Sequence, residues 1–197
     1  MRIVVTGATG LVGQQVCRAA LDAGHDVVAL ARDRKAPLAR ALTAYEQRTA
    51  ESRPGGGLTL ARGDLTDDDS LARALAGADA LVHCAAIYAF GSAFAGGGAT
   101  LNDEGTRAVL EAAADAGVRR AVVTSSSVTR GSSLLPEVRS ERDELGLEPQ
   151  PAYYASKLAQ ERTALAVGAE RGIEVVLALP TVVLGGPWTT LAPSNAI

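Results

Sequence analysis

Short apolar runs alternate along the chain with longer segments in which apolar residues recur at helical spacing. The runs contain few polar residues, which is typical of strands that are buried on both faces of a parallel sheet. This alternation of strand and helix, with right-handed crossovers, predicts a doubly wound α/β sheet with helices on both faces. The predicted strands are residues 3–5, 26–31, 58–61, 80–84, 120–124 and 174–179.

Glycine follows four of the predicted helical segments, each time just before the next apolar run. Because glycine enters the left-handed conformation at little cost, it ends a helix and returns the chain toward the sheet. Residues 66–69, Thr-Asp-Asp-Asp, supply an N-cap and first-turn acids for the third helix. No second domain interrupts the rhythm, so we predict a single domain over residues 1–197. The four glycines are Gly24, Gly77, Gly117 and Gly172.

Composition and charge exclude several classes of protein. The chain has 197 residues, of which 47% are apolar, and a net charge of -3. We therefore expect a globular core and neither a nucleic-acid partner nor a membrane partner. The apolar runs fall short of the ~18 residues of a spanning helix, and the N-terminus lacks the layout of a secretory signal. Because Cys17 and Cys84 form neither a disulfide framework nor a metal-ligand spacing, we expect a reduced, cytoplasmic protein without a metal site.

A glycine-rich turn joins the first predicted strand to the first helix. Its spacing is GxxGxxG: Gly7 permits a tight turn, Gly10 lets the backbone approach a pyrophosphate, and Gly13 lets the helix pack closely on the sheet. Backbone N–H groups at the helix N-terminus would face the phosphates, so the turn predicts a Rossmann-type dinucleotide site. A tight structural turn is the alternative. Further contacts with the cofactor are expected from Thr9, Leu11 and Val12.

The end of the second predicted strand should select between NAD and NADP. An acidic residue there would hold both ribose hydroxyls of NAD, but this chain has Ala31 followed by Arg32. The Arg32 guanidinium can grip a 2′-phosphate with a fork of donors, and Arg34 or Lys35 adds positive charge. We therefore expect NADP. NAD stays open because Asp33 is acidic, and a merely solvated Arg32 is the other alternative.

Two further strand ends carry residues suited to a dinucleotide. Asp64 and Leu65 follow the third predicted strand, where the carboxylate would meet the adenine amino group, although it could instead close its own turn. Ala85 and Ala86 follow the fourth strand and leave room for a nicotinamide riboside. His83 and Cys84, which end the fourth strand, are expected to be packed in the core instead, and so is Cys17.

A tyrosine and a lysine stand four residues apart at the start of a long helical segment. Tyr153 and Lys157 therefore project from one face of the helix. A phenol has a pKa near ~10, and a neighbouring ammonium together with an oxidised nicotinamide ring would lower it. This predicts a general acid/base. Tyr154 is the alternative tyrosine, and an ordinary helix face with one aromatic and one basic residue is the structural alternative.

Hydroxyl side chains follow the fifth predicted strand, over residues 124–127, Thr-Ser-Ser-Ser. In a doubly wound sheet, ligands bind outside the carboxyl ends of the strands, so these hydroxyls should face the same crevice as the glycine turn. A neutral hydroxyl there can donate to a substrate carbonyl oxygen. Alternatively, the serines satisfy the backbone at the strand exit.

Together these motifs resemble the extended short-chain dehydrogenase/reductase family. The similarity runs from residue 2 to about residue 188 and so covers nearly all of the chain. It rests on TGATGLVG at 6–13, HCAA at 83–86, Asn102 followed by Gly105-Thr106, AGVRRAVVTSSS at 116–127, YYASK at 153–157 and LPTVVLGGP at 179–187.

The resemblance implies a role for each matching residue. Ser126 would be the catalytic hydroxyl, with Ser125 or Ser127 as alternatives. Tyr153 would be the general acid/base, and Lys157 would hold the nicotinamide ribose and lower the tyrosine pKa. Asn102 would support the site through a helix distortion or a bound water. The cofactor would be held by Gly7, Gly10, Gly13, Arg32, Asp64 and Leu65, with Pro180 near the nicotinamide.

The branch of the family is harder to identify. The Arg32-Asp33 pair resembles dihydroflavonol-reductase-like carbonyl reductases, which implies hydride transfer between NADPH and a carbonyl or alcohol carbon of a small molecule. An NAD-dependent sugar-nucleotide epimerase and a non-catalytic NADP-binding module are the alternatives. Extended members continue further, so we expect the C-terminal substrate-binding part to be missing or shortened and selectivity to lie in residues 87–100 and 131–150. The family also implies a homodimer through the helices that carry Asn102 and Tyr153.

Overall fold

In the part of the chain that the structure describes, six strands form one parallel sheet. The computed structural model describes residues 1–35, 37–87, 98–131, 136–143 and 151–184. The strands are β1 (Arg2–Thr6), β2 (Asp26–Ala31), β3 (Leu58–Arg62), β4 (Ala80–His83), β5 (Arg120–Thr124) and β6 (Glu174–Ala178). They lie in the order β3-β2-β1-β4-β5-β6, and every adjacent pair is parallel. The predicted strands and the doubly wound fold are thus confirmed, with strand ends within one residue of the prediction.

The described residues form five α-helices, which cover the two faces of the sheet: α1 (Leu11–Asp22), α2 (Pro37–Thr49), α3 (Asp68–Leu75), α4 (Gly98–Asp115) and α5 (Ala152–Arg171). Alternate strand residues supply the two cores, because successive side chains of a strand point to opposite faces. Val5 of β1 packs with Cys17 and Leu42 under α1 and α2. Val4 packs with Leu71 and Leu110 under α3 and α4, a layer that α5 joins. No helix among these described residues has the length and apolar character of a membrane span.

The helix ends behave as the glycine pattern predicts. Gly24, Gly77, Gly117 and Gly172 have φ of 80°, 68°, 84° and 72° and return the chain toward the sheet. Asp67 caps α3 by accepting a hydrogen bond from the Ser70 amide at 3.0 Å.

The order of the strands decides where a ligand can enter. The connections leave the sheet in opposite directions on either side of β1 and β4, so a crevice forms at the carboxyl ends of these two strands. The predicted glycine turn follows β1, and the residues at 83–86 follow β4. Both motifs therefore reach the same edge of the sheet.

Helix α5 approaches the sheet closely because position 168 has no side chain. A Cβ built on Gly168 would lie 2.6 Å from Val175 Cγ2 and 2.9 Å from the Ile173 carbonyl oxygen. Ile173 directly precedes β6 and Val175 lies within it, so α5 is packed directly against β6.

We expect Gly168→Ala to destabilise the protein although alanine is the better helix former by about 1 kcal/mol. The new methyl group must displace backbone as well as a side chain, so we expect a net loss of about 1–3 kcal/mol in the free energy of unfolding, measured by urea denaturation. Gly57→Ala is the control, because a Cβ at Gly57 meets its nearest atoms at 3.8 and 4.0 Å. Equal or higher stability for Gly168→Ala would contradict this close approach.

Candidate cofactor-binding and active site

A cleft of about 290 Å³ opens at the carboxyl end of the sheet. The turns that follow β1, β2, β3 and β4 all contribute to its wall. The cleft therefore lies where strand order reverses, as expected for a ligand site in this fold. The residues predicted from the sequence that line it are Gly7, Thr9, Gly10, Arg32, Asp64, Leu65, Ala85, Ala86 and Asn102.

The glycine turn presses against the exit of β4. Gly7 has a φ of 63°, and a Cβ there would lie 2.6 Å from the Ala85 nitrogen. A Cβ at Gly13 would lie 2.2 Å from the Gly7 carbonyl oxygen. The close approach at Gly13 is thus to the turn itself, whereas we predicted an approach to the sheet.

The N-terminus of α1 is open to an anion. Gly10 is its N-cap and has no side chain to bond the first-turn N–H groups, and the first turn carries no acidic residue. Such a helix start favours a phosphate, because the backbone donors and the helix dipole both attract negative charge. Leu11, Val12 and Gly13 form this first turn, directly after Gly10 of the cleft wall; they do not themselves line the cleft.

The charged residues at the ends of β2 and β3 differ in whether local hydrogen bonds hold their side chains. Arg32 is exposed on the cleft wall, whereas Asp33 accepts a hydrogen bond from the Lys35 amide at 2.8 Å. Asp64 accepts from the amide and hydroxyl of Thr66 at 3.1 and 2.9 Å. These bonds, with a smaller effect of the Arg32 charge, lower the pKa of the Asp64 carboxyl. Asp64 thus closes its own turn while it lines the cleft.

The serines after β5 have separate environments. The Ser125 hydroxyl is buried and donates to Glu161 of α5. Ser126 is half-buried and caps a 3₁₀ turn over Ser127–Arg130, where its Oγ accepts a long hydrogen bond of 3.4 Å from the Val128 amide. Ser125 therefore faces the interior, while Ser126 keeps its hydroxyl proton for another acceptor.

The segment around Pro180 lies against the same turn. The Pro180 carbonyl oxygen accepts a hydrogen bond from the Ser127 amide at 3.0 Å. The chain leaving β6 is thereby attached to the exit of β5. The resemblance to a proline-containing turn extends to residues 185–187, which lie outside the described residues.

Tyr153 and Lys157 lie on the buried face of α5, with 7% and 3% of their surfaces exposed. The Lys157 Nζ donates to the Thr124 carbonyl oxygen at 3.1 Å and to Gln160 Oε1 at 2.8 Å. Burial lowers the pKa of Lys157 to about 8, against the opposing effect of Glu161. A buried cation is thus held at the exit of β5, one helical turn from Tyr153. The rings of Tyr153 and the half-buried Tyr154 meet edge to face, with centroids 6.4 Å apart.

Asn102 joins the β4 exit to two helices. Its Oδ1 accepts from the Ile87 amide at 2.6 Å, and its Nδ2 lies 3.1 Å from both the Ile87 carbonyl oxygen and Ser156 Oγ. Helix α4 runs unbroken through this position. Asn102 thus holds the backbone of the cleft wall at Ile87, and α4 has no break where a helix distortion was expected. Support of the site by Asn102 through a bound water stays a prediction.

Several site residues were missed or misplaced by sequence reasoning. Cys84 is half-buried on the cleft wall and not in the core as predicted, because the chain has already left β4 there. His83 is buried as predicted. Gln160 and Glu161 were not singled out, although they follow Lys157 at the three- and four-residue spacing that keeps side chains on one helix face.

Parts of the predicted substrate region fall outside the description. Residues 88–97, 132–135 and 144–150 are not among the described residues, so selectivity in those segments stays a prediction. Within the described ranges, no group of three or more His, Cys, Asp and Glu side chains is arranged to hold a metal ion.

Comparison with known proteins supports the resemblance. A model of the NAD dependent epimerase/dehydratase family matches residues 3–195. "Cinnamoyl-CoA reductase 1" of Oryza sativa subsp. japonica is 31% identical, over 93% of this chain and 53% of that protein. "Dihydroflavonol 4-reductase" of Hordeum vulgare is 28% identical, over 93% of this chain and 53% of that protein. The chain thus spans about half the length of these curated relatives.

Solved structures with the same fold hold a dinucleotide. MoeE5 in complex with UDP-glucose and NAD superposes with a TM-score of 0.69 at 30% identity, over 90% of this chain and 52% of that one. UDP-glucuronic acid 4-epimerase of Bacillus cereus in complex with NAD gives a TM-score of 0.68 at 26% identity, over 92% of this chain and 57% of that one. With the family match over almost its whole length, the chain belongs to the NAD-dependent epimerase/dehydratase family.

Proposed function

We propose that the protein binds NADP in the cleft and transfers a hydride between NADPH and a carbonyl or alcohol carbon of a small molecule. The observation that carries this proposal is the buried Lys157 ammonium at the exit of β5, on the same face of α5 as Tyr153. Burying a cation is unfavourable. Lys157 is held at Thr124, whose hydroxyl contacts Cys84 of the cleft wall, so a catalytic role explains why the charge is kept at this edge of the sheet.

The residues of the cleft fit a dinucleotide. The open N-terminus of α1 would take the pyrophosphate, and Gly7 and Gly10 leave the backbone uncovered there. Lys157 uses two of its three N–H donors on described groups, Thr124 and Gln160, so the third is available for a ribose hydroxyl. The nicotinamide cofactor, when bound, supplies the hydride.

Ser126 and Tyr153 have different roles at the substrate oxygen. Ser126 donates its hydroxyl proton in a hydrogen bond to the carbonyl oxygen, and Tyr153 delivers a proton to that oxygen as negative charge develops on it. The charge of Lys157 favours the phenolate that remains on Tyr153. Ser125 cannot take the role of Ser126 without breaking its bond to Glu161, which supports the choice among the three serines.

Replacing Tyr153 by phenylalanine should abolish turnover and spare cofactor binding. Proton transfer by a positioned side chain contributes about 10²–10⁴-fold, so we expect at least a hundredfold loss in the rate of NADPH oxidation with a panel of small aldehydes and ketones. The dissociation constant for NADPH, measured by fluorescence titration, should stay within about twofold.

Tyr154→Phe is the matched control, since it removes a hydroxyl from the next residue on the same helix. We expect it to keep most of the activity. Equal losses in the two variants, or an active Tyr153→Phe, would overturn the assignment. A wild-type protein that binds NADPH but oxidises it with no member of the panel would contradict the reaction and favour a non-catalytic cofactor-binding module.

The preference for NADP rests on the end of β2. Arg32 stands exposed on the cleft wall, and the acid that follows it in the chain, Asp33, accepts a hydrogen bond from the Lys35 amide. A guanidinium in this place can bond a 2′-phosphate bidentately, whereas the carboxylate needed for the ribose hydroxyls of NAD is engaged elsewhere.

We expect Arg32→Ala to weaken NADPH binding about 10- to 100-fold, as loss of a charge-assisted hydrogen bond does, and to leave NADH binding within about twofold. Arg34→Ala removes the same charge from a neighbouring exposed position and should change NADPH affinity by less than about threefold. Titrations of both cofactors by fluorescence measure this. Equal affinity of the wild-type protein for NADPH and NADH would refute the NADP preference.

A second candidate function is an NAD-dependent sugar-nucleotide epimerase. It is favoured by the structural neighbours, which were solved with NAD and UDP-glucose or are named as a UDP-glucuronic acid epimerase. Such an enzyme keeps its cofactor through turnover and releases no reduced cofactor.

The two functions differ in what leaves the protein. If the reductase proposal holds, the purified protein exchanges added NADPH freely, and UDP-glucose and UDP-glucuronic acid are recovered unchanged by NMR. Co-purification of NAD, together with epimerised sugar nucleotide and no net change in cofactor absorbance, would instead establish the epimerase.

A further inference from the structure

A row of buried polar side chains connects Lys157 to the wall of the cleft, and the proposed reaction leaves it unexplained. Lys157 Nζ lies 2.8 Å from Gln160 Oε1, and Gln160 Nε2 lies 2.9 Å from Thr106 Oγ1. The contacts that complete the row are Thr106 Oγ1 to His83 Nε2 at 3.0 Å, His83 Nδ1 to Thr6 Oγ1 at 2.7 Å, and Thr6 Oγ1 to the Ala85 amide at 3.3 Å.

The direction of these hydrogen bonds follows from the charge at one end. An ammonium only donates, so Gln160 must present its carbonyl oxygen to Lys157 and its amide NH₂ to Thr106. The Thr106 hydroxyl gives its single proton to the Asn102 carbonyl oxygen, 2.7 Å away. Thr106 therefore accepts from both Gln160 and His83.

The imidazole is thereby held in one tautomer. His83 must carry its proton on Nε2, which leaves Nδ1 to accept from the Thr6 hydroxyl, and Thr6 in turn accepts from the Ala85 amide. Burial, with a smaller effect of the Lys157 charge, lowers the pKa of His83 to about 3, so the ring stays neutral. Because the row ends at a backbone amide, it orients its members and does not conduct protons to solvent.

We infer that Gln160 is a positioning residue that holds the Lys157 ammonium in place and keeps it protonated. The inference rests on the proposed function in so far as Lys157 acts in catalysis. Gln160 is fully buried and provides one of the two acceptors that Lys157 has among the described residues. Without its carbonyl oxygen, a buried charge would keep only the Thr124 carbonyl, and the neutral amine would be favoured.

The other groups that face Lys157 do not replace this contact. Glu161, on the same helix, and Cys84, at the exit of β4, raise the pKa of Lys157, yet burial still lowers it to about 8. Glu161 is itself bonded to Ser125 and paired with Arg130. His83 is neutral and lies beyond Thr106 in the row.

The chain makes a direct test practical, because it contains only two lysines, Lys35 and Lys157. With ¹³C at the lysine ε-carbon, NMR titration follows both, and the exposed Lys35 serves as an internal reference. We expect Gln160→Leu to lower the pKa of Lys157 by about one pH unit and Gln160→Glu to raise it by at least that much. Opposite shifts in two variants of one site cannot arise from a general loss of stability.

Thr163→Val is the matched control. Thr163 is buried on α5 and bonds Asp103 of α4, so the variant removes a comparable contact between the same helices without touching the row. It should leave the pKa of Lys157 unchanged. If the pKa stays within about 0.3 pH units of wild type in both Gln160 variants, or moves equally in Thr163→Val, the positioning role is refuted.

Turnover separates this inference from the proposed function. Because only the protonated amine is charged, NADPH oxidation should fall as pH rises through the pKa of Lys157, and the midpoint of that fall should move down in Gln160→Leu and up in Gln160→Glu. If the pH at the midpoint of this fall is the same in both variants as in the wild-type protein, the inference is overturned. If the wild-type protein turns over no substrate, the proposed reaction fails, while the lysine titration still decides whether Gln160 holds the charge.

Discussion

The buried charge of Lys157 is the constraint around which the described site is arranged. Transfer of an ammonium out of water is unfavourable unless it is paired and hydrogen-bonded, and its pKa falls from 10.5 to about 8 as a result. That depression corresponds to about 3 kcal/mol against folding at neutral pH. The penalty is complete below pH 8 and is relieved as the pH rises toward 10.5, because the folded protein then loses its proton before the unfolded chain does.

A second buried group, the Glu161 carboxylate, lies one helical turn after Lys157 on the same face of α5. It accepts from Ser125, lies 2.7 Å from Thr129 Oγ1, and pairs with Arg130. Arg130 also donates to the carbonyl oxygens of Glu141 and Asp143, each at 3.3 Å. One carboxylate thus connects α5, the turn that begins at Ser126 and the segment at 136–143. Because buried carboxylates are stable only when their oxygens are bonded, this arrangement also decides that Ser125, and not Ser126, is bonded in the interior.

The relatives and solved structures match this chain over only part of their own lengths. Relatives named as reductases and structures named for sugar-nucleotide enzymes share the same cofactor-binding architecture with this protein, over about half of their own lengths. A fold of this kind positions a dinucleotide at the strand ends, while function depends on the groups placed around it. The residues of α5 that we propose as acid/base groups lie in this half, so the proposed chemistry and the choice of substrate are separable questions.

The sequence by itself determined the features that depend on local preference. Six apolar runs, four glycine helix ends and the GxxGxxG turn each follow from backbone conformation or from burial on both faces of a sheet, so their positions could be predicted to within a residue. The Tyr153 and Lys157 pair was visible for the same reason, because helical spacing alone brings the two residues to one face.

Only the tertiary structure decided which of several similar side chains is bonded in the interior. Ser125 and Ser126 are chemically equal in sequence, and their difference comes from Glu161, 36 and 35 residues away. Asp64 accepts a hydrogen bond from Thr66, and Cys84 lies on the cleft wall. Gln160 of α5 donates to Thr106 of α4. These outcomes depend on hydrogen bonds between distant segments, and no local preference encodes them, because each donor or acceptor is satisfied only once the helices are packed on the sheet.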